Sequence, residues 1–223
     1  MENKIFLHKN AGYIAIVAAL IGAVSDVLLL YTPKGGFLNP DFLFLNDIPY
    51  SHLYAGALMG VFFIPLEILG SWQIYNIIKK ENPKLSLLSI MISIYFACIG
   101  VVVHMLYGII GVGMQLHTHL TSDYASLIAE HFAQMNSFME PVATVVIILH
   151  VLSTILCVTL LRKNQHIFPS WLTFVNPVTI YLVLASPYIW WPALGNYLAP
   201  AAFNLSYGIF FCITNYYIKK QEA

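Results

Sequence analysis

Charge is scarce in this chain: Lys, Arg, Asp and Glu make up 9% of its 223 residues, against about 25% in a soluble domain. The ten basic and ten acidic residues cancel, so no basic face exists for a nucleic-acid partner. Cysteine is limited to Cys98, Cys157 and Cys212. An odd number with no CxxC spacing excludes a disulfide framework and a thiolate metal or redox site, and all three read as small apolar core residues. There is no low-complexity tract, no soluble domain, and no convincing repeat between residues 12–115 and 126–217. Nor does any motif name a reaction, a cofactor, a metal or a transported ion. Function therefore has to be read from where the few polar residues stand.

What fills the chain is apolar: 59% hydrophobic residues and a mean hydropathy of +0.76. The expected fold is all-α, a polytopic membrane helical bundle in a single domain, 1–223. A ~30 Å hydrocarbon core needs ~20 apolar residues per helix. Six segments qualify, at about 12–31, 52–78, 85–115, 135–161, 168–190 and 197–218. Lys4, Lys9, Lys79, Lys80, Lys84, Arg162, Lys163, Lys219 and Lys220 fall on one side of this arrangement and Lys34 alone on the other. By the positive-inside rule both termini are cytoplasmic. The first segment is not a cleaved signal peptide, because it holds Asp26 and ends in Tyr31-Thr32-Pro33 without a small-residue cleavage pattern. The external loops 32–51 and 186–200 are rich in Pro, Gly and aromatics, and Trp190 and Trp191 suit an interfacial belt. Both loops are placed to cap the outer mouth of the bundle.

Five ionisable side chains, Asp26, Glu67, His104, Glu140 and His150, lie inside these apolar segments. At a bilayer centre each acid costs roughly 2.5–3.5 kcal/mol on insertion scales. At ~100° per residue, Asp26 shares a stripe with Ala15, Ala19 and Gly22, and Glu67 with Gly56, Gly60 and Ser71. His104 shares one with Ala97, Gly100, Gly108, Gly111 and Gln115. Looser stripes carry Asn136, Glu140, Ala143, His150 and Thr154, and Pro200, Asn204, Gly208 and Asn215. Small residues admit close helix approach, so these faces point inward and converge. Depth counted from the predicted ends puts Glu67, His104 and His150 near the midplane, with Asp26 and Glu140 outward, as a cleft open to the extracytoplasmic side.

Each residue also has a plainer role. His104 and His150 can donate to a neighbouring carbonyl, and Glu140, before Pro141, can meet water. Asp26 and Glu67 are harder to dismiss, since a carboxyl there must be protonated, paired or hydrated. The Gly56–Gly60 spacing reads first as internal packing and second as homodimerisation, which leaves a homo-oligomer open. His117 and His119, with Asp123, Glu130 and His131 nearby, lack zinc spacing and read as a solvated loop.

The segments GAVSDVLLLY at 22–31, IPLEILGSWQ at 64–73, FPSWLTFVNP at 168–177 and PAAFNLSYGIFF at 200–211 resemble a family of bacterial multi-pass membrane proteins known as a domain of unknown function. The resemblance covers nearly the whole chain, implies six helices and a bacterial inner membrane, and carries no activity. In kind, Asp26, Glu67, His104 and the aromatic run 187–190 are also similar to the intramembrane pockets of emopamil-binding and sigma-2-like proteins, whose helix count and motif order differ.

Three functions compete. The first is a pocket, or an enzyme, for a small apolar or lipid-like molecule. In it Glu67, Asp26 and His104 act as acid/base groups, while Asn136, Glu140, His150, Asn204, Trp190 and Trp191 help bind. A scaffold whose polar residues are interhelical glue comes next. Last is a proton- or ion-coupled carrier with a Glu67–His104–His150 relay, disfavoured by the missing repeat. Topology is directly checkable: cysteines introduced at Lys80 and Lys163 should react with a membrane-impermeant reagent from the cytoplasmic side only, and one at Lys34 from the opposite side only. Labelling of Lys34 and Lys80 from the same face would refute the orientation.

Overall fold

A computed structural model describes residues 2–36, 42–80, 82–117 and 122–222, and all regular structure within them is helical. The helices are α1 (Glu2–Leu30), α2 (Tyr50–Ile78), α3 (Pro83–His117), α4 (Ser122–Lys163), α5 (Pro177–Ala185), α6 (Pro187–Trp190) and α7 (Pro192–Glu222). Five of them, α1, α2, α3, α4 and α7, are long and apolar enough to cross a membrane, which marks an integral multi-pass membrane protein. Apolar side chains face outward as well as inward: Phe62 on α2 is 66% exposed, whereas Glu67 five residues on is 8% exposed. This inversion is what lipid surroundings permit, since burying carbon gains little when the solvent is itself hydrocarbon.

Around the bundle, α4 packs on α3, α3 on α2, α2 on α1 and α1 on α7. The short helices α5 and α6 lie against α7, and α5 also meets α4, which closes the ring. Two apolar clusters hold the ends. At one end Leu160, Leu161, Phe168, Leu172, Phe210 and Ile218 pack with Ile74 and Ile78. At the other, Phe42, Phe44, Leu45 and Ile48 of the α1–α2 connection insert against Leu29, Leu53, Ile110 and Met139. Gln115 Nε2 donates to the carbonyls of Leu45 and Ile48, so part of this loop does cap the bundle.

The segment expected as a fifth spanning helix at 168–190 divides instead. A 3-10 turn, Ser170–Thr173, precedes α5, which starts only at Pro177, and Pro187 begins α6. Asn176 opens α5 with a capping box: its Oδ1 accepts from Thr179 N at 3.1 Å, and its N donates to Thr179 Oγ1 at 3.0 Å. Proline is comfortable in a first helical turn because its missing N–H is not needed there. The apolar run Pro177–Trp190 is ~21 Å long as a helix, short of a ~30 Å core. In the other direction α4 starts at Ser122, more than three turns before the expected 135.

The small-residue stripes do what their spacing implies. A Cβ at Gly60 would fall on the His104 ring, and one at Gly56 would lie 2.9 Å from the Ser25 carbonyl oxygen. Both glycines of the GxxxG spacing thus serve contacts within the chain. Gly60→Ala should destabilise the bundle by about 1–3 kcal/mol, the usual cost of overpacking. Gly100→Ala, whose Cβ would meet nothing nearer than Ile64 at 3.5 Å, should leave thermal unfolding in detergent unchanged. Equal shifts for the two variants would contradict this packing.

Candidate functional site

Inside the ring lies a cavity of about 260 Å³. Its walls are apolar and aromatic, with Phe96, Tyr107, Tyr181, Phe203 and Tyr207 contributing rings. Asp26 of α1, Glu67 of α2, His104 of α3 and Asn204 of α7 line it too. Four helices thus each deliver one of these four residues, because each of the four shares a stripe with the small residues that bring its helix close. Among the described lining residues Ile147, in the middle of α4, is alone in being exposed.

Three of the four polar residues form a bonded chain. Asn204 Nδ2 donates to Asp26 Oδ2 at 2.7 Å, and Asp26 Oδ1 lies 3.1 Å from His104 Nε2. Ser25 continues it: its hydroxyl donates to the Gly56 carbonyl at 2.6 Å and lies 3.1 Å from His104 Nδ1. The single hydroxyl hydrogen is committed to Gly56, so Ser25 must accept from Nδ1–H. One proton is then left between Nε2 and Oδ1. Whether it sits on nitrogen or oxygen, the pair carries no net charge.

Glu67 stands apart. Its carboxyl packs against Gly22, whose Cβ would lie 3.0 Å from Oε1 and 2.9 Å from Asn204 Cγ. Glu67 Oε1 is buried and has no hydrogen-bond partner among the described residues. Neither Lys nor Arg is among the residues lining the cavity. An anion here would need a partner that the described lining residues do not supply.

The remaining expected residues separate. His150 is buried beside the cavity behind its aromatic wall: Nδ1 is 3.2 Å from Tyr207 Oη, and the Phe203, Tyr207, Phe96 and Tyr181 rings stand 5.0, 5.4, 5.9 and 5.9 Å away. It makes no contact with Glu67 or His104 that would complete a three-residue relay. Glu140, Trp190 and Trp191 are exposed on the surface and do not line the cavity. Asn136 lies on α4, but its side chain is outside the described residues, as are His119 and the side chains of His117 and Asp123. No cluster of His, Cys, Asp or Glu suited to a metal occurs among the described residues.

The expected layering also changes. Asp26 is four residues from the end of α1 and His104 thirteen from the end of α3, yet they touch. Nine extra residues carry α3 ~13 Å past α1, so depth counted from helix ends separated two residues that stand at one level. Ser25 was missed altogether. Its signal is adjacency to Asp26 on a face lined with small residues.

A model for a family of unknown function, DUF6796, matches residues 1–221. No curated protein and no solved structure matches the chain.

Removing one partner from a buried polar pair strands the other. Asp26→Ala should therefore cost about 3–5 kcal/mol. Asp26→Asn keeps an acceptor for Asn204 and offers an amide to His104 Nε2, so its cost should stay near the ~1 kcal/mol of a single hydrogen bond. Thermal unfolding in one detergent reads both, and a milder effect for alanine than for asparagine would exclude the bonded chain.

Proposed function

As a member of the DUF6796 family, the chain inherits no activity, and we propose from the cavity itself that it binds, and through Glu67, Asp26 and His104 transforms, a small apolar or lipid-like molecule. One observation carries the reading: an apolar cavity of about 260 Å³ that also presents a carboxyl oxygen without a partner. An empty cavity of ~150 Å³ already takes up benzene, so this volume suits a ring system or the end of an acyl chain. Exposed Ile147 at mid-helix on α4 supports entry sideways from the bilayer. The opening to the extracytoplasmic side expected from the sequence gives way to this route, because the described Phe42, Leu45 and Ile48 pack on Leu29 and Leu53 at that end.

In this reading Glu67 meets the polar group of the bound molecule. The Asp26–His104 pair then gives or takes a proton without changing its charge beyond one unit, and Asn204 and Ser25 hold its two ends in register. The proposed setting is a bacterial inner membrane with cytoplasmic termini. Run Pro177–Trp190, with the turn before it, serves as the sixth crossing, supported by the nine-to-one split of Lys and Arg.

Mass spectrometry of material extracted from the purified protein tests the proposal. A defined apolar molecule should accompany the wild-type chain and be lost from Glu67→Gln, together with any thermal shift the molecule confers. The same bulk lipids, in the same amounts, from both proteins would rule it out.

A further inference from the structure

Hydroxyls inside membrane helices commonly donate to the carbonyl one turn back. Ser93, Thr144, Thr159 and Thr214 do so here, to Ser89, Glu140, Ile155 and Phe210. Ser86 and Thr154 break the pattern. Their oxygens are buried and lack any hydrogen-bond partner among the described residues, and both line a second cavity, of about 20 Å³, between α2, α3, α4, α5 and α7.

That cavity lies toward the helix ends that carry Lys79, Lys80, Lys84 and Arg162, since Ile78 and Leu160 also line it. A water needs roughly 10–15 Å³ of such space and two to four polar partners. The volume fits one or two waters, and the two unpartnered hydroxyls supply the partners. Ser71, Ser93 and Tyr207, with the Phe211 ring beside them, line both this cavity and the large one. Ser71 stands one turn from Glu67 on α2, so the two cavities adjoin along hydroxyl groups. At the other end the described Phe42, Leu45 and Ile48 pack on Leu29 and Leu53, and Gln115 Nε2 donates to the Leu45 and Ile48 carbonyls.

We propose that water held by Ser86 and Thr154 continues past Ser71, Ser93 and Tyr207 into the large cavity, forming a path along which Glu67 exchanges protons with the Lys- and Arg-rich face. The balance is simple. A hydronium ion at that face gives up a proton and becomes water, each water or hydroxyl along the path breaks one O–H bond as it forms the next, and the Glu67 carboxylate becomes a carboxylic acid; release runs the same steps backward. This rests on the reading of Glu67 as the acid/base group and supplies the proton source that role requires.

Infrared spectroscopy of the full chain in lipid nanodiscs tests it, with the Glu67 carboxyl band assigned by its loss in Glu67→Gln. On transfer to D₂O, exchange at Glu67 should be about tenfold slower in the Ser86→Ala, Thr154→Val double variant than in wild type, the factor set by one lost hydrogen bond. Should the double variant fail to fold, Ser71→Leu, at the junction of the cavities, should give the same slowing. Unchanged exchange in whichever folded variant is measured overturns the path. Mass spectrometry separates the two ideas: slowed exchange with the same molecule retained by wild type and Glu67→Gln leaves the path standing and removes the ligand. Loss of the molecule in Glu67→Gln with unchanged exchange does the reverse.

Discussion

Hydrocarbon offers a polar group nothing to bond with, and the architecture of this bundle follows from how the chain satisfies its own. The bond from Ser25 to the Gly56 carbonyl joins α1 to α2, and the His104 ring, seated on Gly60, joins both to α3. Asn204 brings α7 to Asp26 at the level of Gly22. Remove the glycines and the polar atoms cannot reach one another; remove the polar atoms and nothing fixes the rotation of the helices.

A second tier repeats the device nearer the other end. Gln73 Nε2 donates to Asn215 Oδ1 at 3.0 Å, and both lie against Gly12. Interhelical bonds of this kind average about 0.6 kcal/mol each, too little to explain the stability of the bundle. Their value lies in register, because an apolar helix sliding against another changes its contacts little, whereas one that breaks these bonds strands several buried groups at once.

Much of this was legible in the sequence where the signal was periodic. The stripes through Asp26, Glu67 and His104 named helix faces correctly, because small residues and polar ones answer the same demand for close approach. Asn204 came with the stripe of Pro200 and Gly208. Less legible was anything that depended on where helices begin and end. Hydropathy averaged over 168–190 hid the Asn176-Pro177 cap, a local backbone signal inside an apolar run, and α3 overshoots α1 by a length no pattern in either helix announces. Ser25 carries no charge and so drew no attention, although its hydroxyl decides which nitrogen of His104 holds a hydrogen. His150 satisfied the periodic rule yet faces Tyr207, since one stripe on a helix can serve two neighbours.

The neutrality of the Asp26–His104 pair bears on how the site feels the electric field across a membrane. A full charge carried through 100 mV changes energy by about 2.3 kcal/mol. The shared proton moves only within a 3.1 Å contact, about a tenth of a ~30 Å core, so 100 mV biases its position by roughly 0.2 kcal/mol at most. A potential of that size therefore leaves the sharing of this proton between Asp26 and His104 nearly untouched.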